Sequence, residues 1–161
     1  MIISKLINSG SNVLKKGNIT SHLLDSELIL SNLLNESREK ILTISDDRVS
    51  KNIILNFEKL VSRRLKKEPM AYIFQKKEFW SKDFIVDNNT LIPRPETELL
   101  VHKISKIFKN KKIFLLDIGT GSGCIAISLL DEIQKAHGIG IDVSNKAIKV
   151  AKQNAKNFNW L

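Results

Sequence analysis

Apolar side chains recur every three to four positions through the first 67 residues, which is the spacing of one buried helix face. The pattern predicts a helix ending near Gly17, a second that Thr20 or Ser21 can cap, a short third helix over 36–43, and a longer one capped by Ser50. Pro69 follows the last of them. Residues 1–69 are therefore expected to form a small helical bundle, and none of them has a catalytic pattern.

The periodicity changes after residue 69. Two short aromatic or β-branched runs flank a polar tripeptide over residues 78–86, which is typical of a β-hairpin with residues 81–83 at its tip. We interpret residues 70–92 as a hairpin linker. Pro93 and Pro95 then hold the backbone extended, and Glu96 and Glu98 favour the start of a helix that runs to about Phe108.

The rest of the chain alternates between strand and helix patterns. Short apolar runs over 112–118 and 138–143 predict strands, and the segments 124–133 and 144–158 predict helices, the second capped by Ser144. This order is typical of a right-handed crossover between parallel strands. The predicted fold class is α/β, with a helical bundle, a hairpin linker and the first βαβα part of a Rossmann-like sheet domain in residues 93–161.

A glycine-rich loop joins the first predicted strand to its helix. Gly119, Thr120, Gly121, Ser122 and Gly123 follow the strand that contains Asp117. Glycines let a ligand approach the backbone, and the helix N-terminus offers unpaired N–H groups, so a nucleoside cofactor fits. A dinucleotide fingerprint would place its third glycine at position 124, which is cysteine, and no Gly-Lys-Ser/Thr follows as in a P-loop.

An acidic residue ends the second predicted strand. Asp142 lies 19 residues after Gly123, close to the spacing of about 20 at which a carboxylate binds ribose hydroxyls in nucleotide-binding βαβ units. The Asp-x-Gly-x-Gly-x-Gly segment from Asp117, with Asp142 after it, resembles the nucleoside-binding half of Rossmann-like methyltransferases. That resemblance implies S-adenosylmethionine as the cofactor.

Composition and charge add little to these assignments. The formal charge is +9, but 21 lysines stand beside only 5 arginines, the residue favoured for phosphate and base contacts, so no specific nucleic-acid site is expected. One cysteine and three scattered histidines give no metal-ligand spacing. No apolar run approaches the roughly 18 residues of a membrane span and no secretory signal is visible, so we expect a cytoplasmic protein.

Four segments together resemble one family, the protein-(glutamine-N5) methyltransferases that act on peptide release factors, also called the HemK family. They are Glu-Pro-Met-Ala-Tyr-Ile at 68–73, Glu-Phe-Trp at 78–80, Leu-Ile-Pro-Arg-Pro-Glu-Thr-Glu at 91–98, and the glycine-rich loop. The block at 91–98 is the most specific. The family's Tyr-Ile-x-Gly turn differs here, where Gln75 occupies the glycine position.

The resemblance implies a reaction and a role for each loop residue. Gly119 to Gly123 would line the methionine portion of the cofactor, Asp142 would hold its ribose, and Asp117 would support its amino end. The block at 91–98 would pack beside the cofactor. The partner would be a peptide chain release factor, methylated on the glutamine of its Gly-Gly-Gln loop.

The family's catalytic Asn-Pro-Pro-Tyr motif does not occur in these 161 residues, which contain no Asn-Pro pair. We therefore expect a C-terminally truncated chain without a catalytic residue of its own, inactive in isolation. Two alternatives remain open. One is another S-adenosylmethionine-dependent enzyme that acts on nucleic acid or on a ribosomal-protein glutamine. The other is a non-catalytic module in which the helical domain binds a partner.

Overall fold

A computed structural model describes residues 1–161, which form two compact units, Met1–Phe74 and Gln75–Leu161. The first unit is entirely helical, and the four helices predicted from periodicity are confirmed. Ser37 caps the third by accepting from the backbone N–H of Lys40 at 3.1 Å, so that helix begins two residues later than predicted. The helices are α1 (Ile3–Lys16), α2 (His22–Leu34), α3 (Arg38–Thr43), α4 (Lys51–Leu65) and the short α5 (Met70–Phe74).

The core of the first unit is formed by the apolar stripes of its helices. Leu14 of α1, Leu30 of α2 and Phe57 of α4 are at most 1% exposed. Gly10 lets α1 approach this core closely, because a Cβ there would lie 2.5 Å from the Phe57 ring. Burial of each such side chain stabilises the fold by about 1.5–3 kcal/mol, which makes this cluster the main support of the unit.

The start of α2 differs from the sequence prediction. Ser21 occupies the N-cap position, but its hydroxyl makes no capping bond and donates instead to Asp25 Oδ2 at 2.7 Å. The same carboxylate oxygen accepts from Arg64 Nε of α4, also at 2.7 Å. Ser21 is thus committed to a buried ion pair between two helices, which is a tertiary contact that capping rules do not consider.

The second unit begins with an antiparallel hairpin and continues with parallel strand–helix units, so the predicted α/β fold class is confirmed. A 3-10 turn at Pro95–Thr97 precedes α6. Strands β1 and β2 pair antiparallel, whereas β3 and β4 pair parallel. The elements are β1 (Lys76–Phe79), β2 (Lys82–Ile85), α6 (Glu98–Phe108), β3 (Ile113–Ile118), α7 (Cys124–Glu132), β4 (Ala136–Ile141) and α8 (Asn145–Asn157).

The turn of the hairpin lies one residue earlier than predicted. Phe79 pairs with Lys82, so Trp80 and Ser81 form a two-residue turn, with φ of 52° and 54°. Positive φ at both positions matches the twist of a hairpin but is unfavourable for residues other than glycine and asparagine. The backbone N–H of Trp80 donates to Glu98 Oε1 at 2.9 Å, and its indole Nε1 donates to Glu132 Oε1 at 2.8 Å. These two bonds hold the turn.

The two faces of the β3–β4 sheet have different environments. Ile113 and Leu115 pack on a core that includes Val101 of α6 and Ile127 of α7. The opposite face carries apolar side chains that are 44–75% exposed, and we call it the exposed sheet face; it consists of Phe114, Leu116, Ile118, Ile139 and Ile141. Two paired strands thus leave the apolar side chains on one face of this sheet uncovered.

Strand β4 runs from Ala136 to Ile141, two residues earlier at both ends than the apolar run suggested. Its register with β3 sets these limits, because Ile113 pairs with Ala136 and Ile118 with Ile141. No helix in either unit has the combination of length and apolar character that a bilayer crossing requires.

Candidate cofactor-binding site

The glycine-rich loop lies between β3 and α7, and its backbone requires glycine. Gly119, Gly121 and Gly123 have φ of 80°, 55° and 81°. A Cβ at Gly119 would meet nothing within 4 Å, so the requirement there is conformational rather than steric. Residues other than glycine rarely adopt these φ values. The three glycines carry no side chain, so a ligand can approach their backbone closely.

The loop folds over the carboxyl end of β4. The backbone N–H groups of Gly119 and Thr120 both donate to the carbonyl of Ile141, at 2.8 and 2.9 Å. Residues that follow two adjacent parallel strands thus meet at one edge of the sheet. This edge is where open α/β sheets bind their ligands.

Asp142, which follows β4, accepts hydrogen bonds from the glycine-rich loop and from the residue that precedes α8. Its Oδ2 accepts from the backbone N–H of Gly121 and its Oδ1 accepts from that of Ser144, both at 2.9 Å. The backbone N–H of Ser144, followed by that of Gly121, holds the pKa of the Asp142 carboxyl below its usual range. Asp142 is therefore ionised at neutral pH, and each oxygen keeps acceptor capacity for a further donor such as a hydroxyl.

Asp117 and Thr120 form a second polar pair at the same edge. The Thr120 hydroxyl donates to Asp117 Oδ2 at 2.9 Å. Gly140 of β4 makes room for this hydroxyl, since a Cβ at that position would lie 2.8 Å from Thr120 Oγ1. Sequence reasoning missed Gly140, whose need for a missing side chain follows only from the pairing of β4 with β3.

The N-terminus of α7 has no side-chain cap. Gly123 occupies the cap position and makes no side-chain bond to the first turn, which is the arrangement expected where a ligand meets the helix. Cys124 begins the helix but is buried, and burial raises the pKa of its thiol, so it is a packing residue rather than a nucleophile. No three His, Cys, Asp or Glu residues lie together as a metal site would require.

Asn154 of α8 is a member of the site that the sequence did not indicate. Its side chain is fully buried, and its Nδ2 donates to the carbonyls of Ser122 and Ile85 at 2.8 and 2.9 Å. Its Oδ1 accepts from the backbone N–H of Ile85 at 2.8 Å. Because these partners are 32 and 69 positions away, no local sequence signal could have identified the contact.

All seven sequence-predicted residues therefore lie in one connected arrangement at the ends of β3 and β4. Asp142 reaches Gly121, Asp117 reaches Thr120, and Gly119 and Thr120 reach the end of β4. An apolar cleft of about 270 Å³ adjoins the loop, lined in part by Thr120, Gly123 and Ile139. Neither aspartate lines this cleft, and Asp117 lines a separate cleft together with Leu116 and Ile125.

Comparison with known proteins identifies both parts of the chain. Residues 109–160 match a family described as a methyltransferase domain, and residues 5–74 match the PrmC N-terminal domain. The second unit therefore carries methyltransferase-domain sequence in a Rossmann-like arrangement of strands and helices.

Curated relatives extend the match over nearly the whole chain. Release factor glutamine methyltransferases of Buchnera aphidicola subsp. Baizongia pistaciae and of Haemophilus influenzae are 39% and 38% identical over 97% and 88% of this chain. A bifunctional methyltransferase of Rickettsia conorii is 36% identical over 97% of it. The chain thus combines a PrmC N-terminal domain with a methyltransferase domain and is similar to release factor glutamine methyltransferases over most of its length, which confirms the resemblance drawn from sequence. It spans 56%, 53% and 34% of the lengths of these three relatives.

Proposed function

We propose that this chain carries the S-adenosylmethionine-binding part of an enzyme that methylates the glutamine of the Gly-Gly-Gln motif of peptide release factors. The observation that carries the cofactor assignment is the bond between Asp142 and Gly121, which joins the acid after β4 to the bare loop after β3. The substrate assignment is supported by the names of the relatives.

Each predicted residue has a role that fits its geometry. Gly119 to Gly123 would line the methionine portion of the cofactor, where Gly119, Gly121 and Gly123 offer backbone without side chains. Asp142 keeps lone pairs for the two ribose hydroxyls while its bonds to Gly121 and Ser144 fix its direction. Asp117, oriented by Thr120, offers a carboxylate to the amino group. When bound, S-adenosylmethionine supplies a methyl group on a positively charged sulfur.

The nucleophile in this reaction is a side-chain amide nitrogen, which is weakly nucleophilic. Catalysis of such a transfer depends on holding the amide in line with the methyl group and on hydrogen bonds to the amide. The loop contributes orientation of the methyl donor, and we assign no catalytic residue within these 161 residues. The helical unit, which carries the PrmC N-terminal domain match, is proposed to bind the release factor. Release factors act on ribosomes, so the site of action would be the cytoplasm.

A second candidate is an S-adenosylmethionine-dependent enzyme with a further or different substrate, such as RNA or a ribosomal-protein glutamine. Two observations favour keeping it: the formal charge of +9 and the similarity to relatives named bifunctional methyltransferase. Methyl transfer to release factor, ribosomal protein and RNA, measured side by side with a complete enzyme that carries these residues, separates the two candidates.

The cofactor assignment is tested by titrating the purified chain with S-adenosylmethionine while recording backbone amide resonances. Specific binding is expected to move the resonances of Gly119 to Gly123 and of Asp142, and to leave those of the helical unit unchanged. If saturating cofactor moves none of the loop resonances, the assignment is wrong.

The activity of the isolated chain has a separate test. Because the chain contains no Asn-Pro pair, we expect no transfer of labelled methyl from S-adenosylmethionine to a release factor by the 161 residues alone. Measurable methylation of the Gly-Gly-Gln glutamine by the chain would overturn this expectation while supporting the substrate assignment.

A further inference from the structure

The amide of Asn154 makes three hydrogen bonds in a position without access to solvent. It is 0% exposed, and it joins three segments: α8, the end of β2 through Ile85, and the glycine-rich loop through Ser122. Burying a primary amide costs free energy unless its donors and acceptor are satisfied. Here both N–H donors and the oxygen are used, so the position favours asparagine over an apolar residue of the same size.

The bond to Ser122 acts on one particular peptide group. The Ser122 carbonyl and the Gly123 N–H belong to the same peptide plane. The carbonyl accepts from Asn154, and the N–H donates to the carbonyl of Thr120 at 2.8 Å. With both of its polar groups bonded, this plane cannot rotate without breaking a hydrogen bond. Glycine at position 123 would otherwise permit such rotation at little steric cost.

The other end of the contact lies on the hairpin, which is itself bonded to two helices. The β1–β2 hairpin is bonded to α6 through Glu98 and to α7 through Glu132, and Lys82 pairs with Asp131 of α7 at 2.7 Å. Val86 extends the hairpin by donating to the carbonyl of Gln75 at 3.3 Å. Asn154 therefore links the glycine-rich loop to the hairpin, and the hairpin is held by its bonds to α6 and α7.

We propose that Asn154 is a positioning residue of the cofactor site, which fixes the Ser122–Gly123 peptide plane relative to the hairpin and so sets the shape of the loop. The role in cofactor binding rests on the proposed function. The coupling between hairpin and loop does not, and it is measured without cofactor. Asn154 itself touches no substrate in this arrangement, because it is buried behind the loop.

The test compares Asn154→Asp and Asn154→Ala with Gln153→Glu, which changes an amide to a carboxylate at the neighbouring exposed position of α8. In Asn154→Asp one oxygen can still accept from Ile85, but an ionised carboxylate cannot donate to either carbonyl. In Asn154→Ala all three bonds are lost and no charge is buried. Amide hydrogen exchange and the carbonyl carbon shift of Ser122 are recorded by NMR for each variant.

Both Asn154 variants are expected to raise amide exchange in residues 119–123 by about tenfold, because both lose the hydrogen bond to Ser122. Exchange in β3 and in α7 beyond its first turn should change much less, and the Ser122 carbonyl shift should move. Gln153→Glu should leave both readouts at their wild-type values. Unchanged loop exchange in both variants would overturn the proposal. So would global unfolding of the second unit in both, because Asn154 would then be a folding residue only.

Cofactor binding is read separately on the same variants. If the wild-type chain binds S-adenosylmethionine, weaker binding by about tenfold is expected for both Asn154 variants and none for Gln153→Glu. If the wild type shows no binding, the cofactor assignment fails while the exchange data still decide whether Asn154 positions the loop.

Discussion

The carboxylate of Asp142 accepts a hydrogen bond from the backbone N–H of Gly121, with 2.9 Å between Oδ2 and N. Gly121 follows β3 and Asp142 follows β4, so the bond connects the segments that leave the carboxyl ends of these two strands. An acid at this place therefore has a structural partner in addition to the hydroxyls that we assign to it. The loop and the acid should respond together when either is changed.

Replacement of Asp142 by asparagine is expected to loosen the loop. An asparagine side chain has one oxygen, so it cannot accept from both Gly121 and Ser144, and its NH₂ group would face one of these N–H donors. Amide exchange at Gly121 or Ser144 should rise by about tenfold, and S-adenosylmethionine should bind more weakly by a similar factor. Asp46→Asn, the same change at an exposed position of the helical unit, is the control. Unaltered exchange at both amides would contradict the prediction.

The Asp142 bonds also predict a pH dependence. Because backbone N–H groups lower its pKa in the folded chain, the folded state binds fewer protons than the unfolded state between the two pKa values. The contribution to stability is present above the unfolded value of about 3.9 and is lost as the pH falls through the lower folded value.

Amide resonances of Gly121 and Ser144 should therefore hold constant on acidification to about pH 5 and titrate with a midpoint below about 3.9. The carboxyl carbon of Asp142 in the urea-unfolded chain provides the reference. A folded midpoint at or above that reference would show that the two N–H groups do not stabilise the ionised form.

Substitutions at Gly119 should rank by how well each residue tolerates positive φ. Gly119→Ala is expected to destabilise the second unit by about 1 kcal/mol, Gly119→Asn by less, and Gly119→Val by more, since open space around the position leaves only the backbone cost. Urea unfolding followed by tryptophan fluorescence measures this directly, because Trp80 and Trp160 both lie in that unit. Equal stability of the three variants would indicate that the loop relaxes to another conformation.

The ion pair between Asp25 and Arg64 should contribute strongly to the helical unit. The side chains are 6% and 18% exposed, and Ser21 adds a third partner at 2.7 Å. Asp25→Ala leaves the Arg64 charge without its carboxylate in a partly buried site, for a predicted loss of about 3 kcal/mol. Helical circular dichroism during thermal unfolding reports the effect.

The hairpin offers a matched comparison for that ion pair. Lys76 and Asp83 also lie 2.7 Å apart, but their side chains are 56% and 55% exposed. Asp83→Ala should cost less than about 1 kcal/mol, because exposed ion pairs are screened by water and salt. A loss as large as that of Asp25→Ala would mean that burial does not determine the strength of these pairs.

Sequence patterns predicted the elements of this chain better than their contacts. Helical periodicity identified α1, α2 and α4, and the caps at Ser50 and Ser144 are confirmed by bonds to Ile53 and Ala147. These signals are local, since a cap and its donor are three residues apart. Strand β4 was placed two residues late because its ends depend on pairing with β3 rather than on its own composition.

The candidate site divides in the same way. The glycines and both aspartates were predictable, because a tight loop and an acid at a set distance leave a pattern in the sequence. Long-range contacts, with residues 18 to 69 positions away, determine the roles of Asn154, Gly140 and Glu98. The Trp80–Ser81 turn was similarly hidden, since neither residue favours positive φ and Glu98 and Glu132 supply the compensation.

The exposed sheet face should affect how fast the chain is degraded in a cell. Phe114, Leu116 and Ile118 present adjoining apolar side chains, and a surface of this kind is what chaperones and quality-control proteases recognise on their clients. While this face stays uncovered, the chain should be degraded faster than a protein that buries the same strands.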